Sequence, residues 1–118
     1  MQYLELRRQV GGLLANLGPT SGAVAMQLRD SGVRGIPKDV HRCAIARYLN
    51  AILGTEAQIH SIRVEKNSVQ VLAGRPRIPV FIALPESVRV FVRAFDQRLY
   101  PELILNTPES PSQYTTSG

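Results

Sequence analysis

The spacing of the apolar residues changes twice along this chain, and that constrains the fold more than any motif does. From about Gln2 to Gly54 apolar side chains recur at intervals of three and four. From about Ala57 to Leu84 they alternate. From Pro85 the helical interval returns with Val88, Phe91, Val92 and Phe95. An interval near 3.6 buries one stripe of a helix, and an interval of two buries one face of a strand. The order is helix, helix, helix, hairpin, strand, helix. Strands gathered in one block, without crossover helices, predict an α+β fold with a small, mainly antiparallel sheet.

The first helix is expected from about Gln2 to Asn16, with Leu6, Val10, Leu13, Leu14 and Leu17 on its apolar side. Gly11 and Gly12 weaken its middle. "LGPTSG" breaks it, and Thr20 or Ser21 offers a hydroxyl to cap the next helix. Val24 and Leu28 form the inner face of that second helix, and Gly32 suits its C-terminal left-handed position. Asp39 is expected to cap a third helix from Val40 to about Leu53, with Ile45, Leu49, Ile52 and Leu53 inward and Arg42, Ala46, Arg47 and Asn50 outward. Gly54 would end it.

"AQIHSIRVE" and "SVQVLAG" are β-branched runs joined by Lys66-Asn67. They predict a hairpin with Ile62, Val64, Val69 and Val71 inward. "IPVFIAL" is a third strand. Pro79 places it on an edge or near its start, because proline cannot donate to a ladder. Pro85 suits the first position of the last helix, whose stripe extends to Leu99 and is expected to pack on the sheet. Residues 1–105 are thus expected to form one α+β domain: three N-terminal helices, a three-stranded sheet and a C-terminal amphipathic helix. Residues 106–118, rich in Pro, Ser and Thr, read as a flexible tail.

With 118 residues and 44% apolar side chains, the chain can build one core, which excludes wholesale disorder. No apolar run nears the ~20 residues that span a bilayer, and the N-terminal stretch carries charges where a secretory signal would be apolar. A cytoplasmic location without membrane contact is the expectation. A lone cysteine cannot form an internal disulfide, and one Cys with two His does not make a zinc set, so neither metal nor cofactor is expected.

Asp39, His41 and Cys43 resemble a nucleophile with helpers, but residues two apart on a helix point ~200° from one another. Cys43 is therefore expected to be a buried apolar residue and His41 a surface one. The chain is not expected to be an enzyme. An enzyme built on Cys43 and His60 is the least favoured alternative.

The formal charge of +5 favours anionic partners. Twelve of the fourteen cations are arginines, which form bidentate forks with phosphate. The expected nucleic-acid contacts are Arg34, Lys38, Arg42 and Arg47, meeting phosphates, with Asn50 at a base edge. A winged-helix-like arrangement would place the third helix as reader and the hairpin as wing. The connection from Val33 to Lys38 is longer than a usual helix-turn-helix turn and contains a proline. A three-helix packing unit with a solvated basic face explains the same residues. Gly32-Val33-Arg34-Gly35 matches the G-x-x-G step of a KH domain, but the strand that should precede it is absent. The alternative function is a protein-interaction module using a sheet edge, which a homodimer would also cover, or Arg89 and Arg93 on the last helix.

"LRDSGVRG", "CAIARYL" and "PESVRVFVRAFDQRLYPELI" together resemble small proteins of actinobacteria and their phages that carry no assigned function. The likeness runs from about Leu28 to Ile104. It implies no activity, cofactor or catalytic residue. The predominance of arginine suits such a GC-rich coding origin.

Overall fold

The computed structural model of the protein describes residues 2–54, 59–74 and 76–105. The expected tail, residues 57 and 58 of the first expected strand, and Arg75 lie outside the described residues. The elements run in the expected order: α1 (Gln2–Ala15), α2 (Ser21–Asp30), α3 (Ala44–Leu53), β1 (Ile59–Val64), β2 (Ser68–Ala73), β3 (Ile78–Ala83), α4 (Glu86–Asp96) and a short 3₁₀ turn, Pro101–Leu103. The fold is α+β.

The three strands form one antiparallel sheet in the order β1-β2-β3. The Glu65 N–H donates to the Ser68 carbonyl (2.8 Å), closing the hairpin around Lys66 and Asn67. Ile62, Val64, Val69, Val71, Val80 and Ile82 are buried on one side of the sheet. The register row Arg63–Gln70–Phe81 belongs to the other. β3 is an edge strand, as Pro79 requires. His60 is the extra residue of an irregularity between Ile59 and Ser61. It donates Nε2–H to the Gly74 carbonyl (2.9 Å), which holds the bulged backbone in place.

α1 lies against β3 and α3 against β1. α4 buries Val88, Phe91, Val92 and Phe95 in the same core, with α2 as its main helical neighbour. Phe91 stacks on Phe95 (centroids 5.7 Å apart) and on Tyr100 (5.2 Å). The Tyr100 hydroxyl shares a hydrogen bond with Ser21 at the start of α2 (3.0 Å), and Ser87 donates to the Gly18 carbonyl (2.8 Å). The polar tips of these residues thus orient α4 against α2, while the apolar stripe supplies about 1.5–3 kcal/mol for each large side chain buried.

Several boundaries differ from the sequence expectation. α3 begins at Ala44, not Val40, with Cys43 at its cap position. Asp39 does cap, but it caps a tight turn: Oδ1 accepts from the His41 and Arg42 N–H groups (both 3.0 Å). Ala46 is fully buried and Ile52 is exposed, the reverse of the expected faces. α4 stops at Asp96 and Arg98 turns left-handed (φ 64°), so Leu99 leaves the stripe and is 63% exposed. Pro85 precedes the first turn of α4 as its cap residue. Thr20 caps α2 as expected, accepting from the Ala23 N–H (3.1 Å).

One long-range contact fixes the connection between α2 and α3. The Gly35 N–H donates to the Leu103 carbonyl and the Leu105 N–H donates to the Gly35 carbonyl, each over 2.8 Å. This forms a single parallel bridge between Gly35 and Ile104. A Cβ on Gly35 would lie 2.2 Å from the Ala44 nitrogen, so only glycine lets the two backbones approach this closely.

Candidate nucleic-acid interface

The Gly35–Ile104 bridge gathers basic side chains from three places. Arg29 comes from the last turn of α2, Arg34 from the loop beside Gly35, and Arg47 from the exposed side of α3. All three line one cleft of about 390 Å³, floored by Val33, Leu103 and Leu105. A single carboxylate, Glu102, stands on the same rim, 3.8 Å from Arg29 Nη1. Three guanidinium groups against one carboxylate leave the rim positive, and each presents a planar fork that matches phosphate.

The structure divides the residues expected to act together. Arg34 and Arg47 share this cleft. Lys38 lines a different one of about 120 Å³, with Lys66, Glu65, Asp96 and Cys43. Lys38 adopts a left-handed backbone (φ 65°), held by its N–H donating to Asp96 Oδ1 over 2.8 Å. Arg42 is exposed on the turn before α3, and its carbonyl accepts from the Ile36 N–H. Asn50 spends its amide donor on the Ala46 carbonyl one turn back (3.0 Å), which ties the side chain to its own helix. Arg89 and Arg93 sit on α4, half-buried and exposed respectively, and line neither cleft. Sequence reasoning missed Arg29. It sits on an exposed helix face five residues before Arg34, where helical spacing marks it only as a solvated residue.

The connection from Ser31 to Cys43 separates α2 from α3 by far more than the three- to four-residue turn of a helix-turn-helix pair. The G-x-x-G step has a backbone explanation: Gly32 takes the left-handed position after α2 (φ 75°), and Gly35 is needed for the contact with Ala44.

Cys43 and the two histidines are occupied structurally. The thiol is buried, and loss of solvent pushes it up to about 11, against a partial downward pull from the Ala46 and Ile45 N–H groups. A thiol so protonated is a weak nucleophile at neutral pH. His41 is exposed and donates Nδ1–H to the Ile62 carbonyl (3.2 Å), and His60 is bonded to Gly74. Among the described residues no group of His, Cys, Asp and Glu could hold a metal ion, and no helix is long and apolar enough to cross a membrane. Comparison with protein families, with curated proteins and with solved structures finds no match.

Proposed function

We propose that this chain is a small, non-enzymatic, cytoplasmic regulatory protein that binds nucleic acid through the phosphate backbone. The observation that carries the reading is the convergence of Arg29, Arg34 and Arg47 on one cleft. Phosphate contact supplies most of the affinity in binding of this kind and needs no reader helix. The long α2–α3 connection therefore does not weigh against it. Arg34 and Arg47 are the principal contacts, Arg29 joins them, and Asn50, tied to its own helix, lies outside the cleft. The buried thiol and the engaged histidines support the non-enzymatic part of the reading.

A fluorescence-anisotropy titration with labelled random duplex DNA tests this. Three phosphate contacts give a slope of log affinity on log salt of about −2.7. An Arg34→Ala/Arg47→Ala double variant should lose most of the binding and most of that slope. Binding that ignores salt, or survives the double substitution, overturns the site. β3 leaves Ile78 and Phe81 exposed, which favours a second reading: a protein partner at that edge of the sheet. A flat titration would direct attention there, and to Arg89 and Arg93.

A further inference from the structure

Glu102 is the one carboxylate among the residues lining the arginine cleft. Its carboxylate lies 3.8 Å from Arg29 Nη1, on the rim shared with Arg34 and Arg47. Its backbone is held by the 3₁₀ turn Pro101–Leu103, whose Leu103 carbonyl is bonded to Gly35, so the position of the acid is set by the fold. The two side chains remain 53% and 41% exposed. A pair this accessible exchanges with anions from solution at small cost, because exposed ion pairs are weak.

We infer that Glu102 is an internal counter-anion of the arginine cleft. It occupies the Arg29 guanidinium in the free protein and is displaced when a backbone phosphate enters. This rests on the reading of the cleft as a nucleic-acid contact. Unliganded, the carboxylate relieves repulsion among three like charges. In the complex it is a competitor for Arg29. The acid thereby limits affinity and keeps the complex reversible.

The test is a cycle of four proteins: wild type, E102Q, R29A and the R29A/E102Q double variant. Each is titrated with labelled random duplex DNA between about 50 and 200 mM salt. Glutamine keeps the shape and removes the charge, and thermal melting checks that each variant folds. E102Q should bind about two- to fivefold more tightly than wild type, the range expected when an exposed pair is released. Its salt slope should stay near the wild-type value of about −2.7, because the same three phosphate contacts form in both complexes. In the R29A background the same substitution should add little. A gain of equal size with and without Arg29 would mean that only net charge changed, and would overturn the inference. An unchanged E102Q would overturn it too. Failure of wild type and E102Q alike to bind duplex would overturn the reading of the cleft, and the role of Glu102 with it.

Discussion

Arg7 of α1 donates Nη1–H to the backbone carbonyl of Phe81 on β3 over 2.7 Å. A helix side chain thus satisfies a carbonyl on a strand that has no further strand beside it. The opposite edge is treated alike: the Val64 N–H donates to the Val40 carbonyl (2.8 Å), and the Ile62 carbonyl accepts from His41. Uncapped edges invite pairing with a second chain. The expected homodimer is therefore less needed to protect the sheet than the sequence suggested. Arg7→Ala should cost about 1 kcal/mol and promote concentration-dependent association. Thermal melts and size-exclusion runs at rising concentration would show both effects, and a variant that stays monomeric and fully stable would contradict the capping role.

Gly35→Ala should be among the most damaging single changes, at 3 kcal/mol or more by analogy with overpacked sites, since the new methyl would collide with the Ala44 backbone (about 2.2 Å). Gly12 offers a contrast. A Cβ there meets nothing within 4 Å, and Ala should stabilise α1 by about 0.5–1 kcal/mol. Urea denaturation of the two variants should move the midpoint in opposite directions.

In the core, Phe91→Ala should cost about 3–5 kcal/mol, because it empties a fully buried site and removes both stacking partners' contact. Leu99→Ala should be nearly neutral despite its place in the apparent stripe, since it is 63% exposed. Equal losses at the two positions in chemical denaturation would contradict the helix end at Asp96.

Cys43 sets a pH dependence whose sign is fixed by its burial. The unfolded thiol ionises near 9.0 and the native one at about 11. Between those values the unfolded state has released a proton that the native state retains, so stability falls as pH rises. Below pH 9.0 the thiol contributes no slope. Wild type should lose about 2 kcal/mol more than Cys43→Ala across that window. At neutral pH a thiol reagent should react slowly and speed up greatly in denaturant. Rapid reaction of the native protein would show the thiol to be open.

What the sequence disclosed was what local periodicity can carry. The Val88/Phe91/Val92/Phe95 stripe, the Lys66-Asn67 turn, Thr20 as a cap and Pro79 on an edge follow from spacing and backbone chemistry alone. The start of α3 was obscured because Asp39 is equally suited to capping a turn and a helix. Ala46 looked like an outward residue because helical spacing puts it one turn from Arg42 and Asn50. It is buried where α3 lies between α2 and β1, and small residues let elements approach closely. The candidate site was half legible. Helical spacing places Arg47 outward, and Arg34 stands in a turn, where basic side chains face solvent. Arg29 and Glu102 belong to a cleft created by a contact between residues far apart in the chain, and no local pattern records such a contact.

That contact also orders events in time. A ribosome must deliver the chain as far as Leu105 before Gly35 can find its partners, so α2 and α3 emerge long before the connection between them is clasped. Closing so long a loop costs entropy that only the finished core can offset. Nascent chains that end before the 3₁₀ turn should hold Arg34 and Arg47 on an untethered loop and helix, leaving the cleft among the last features of the molecule to mature.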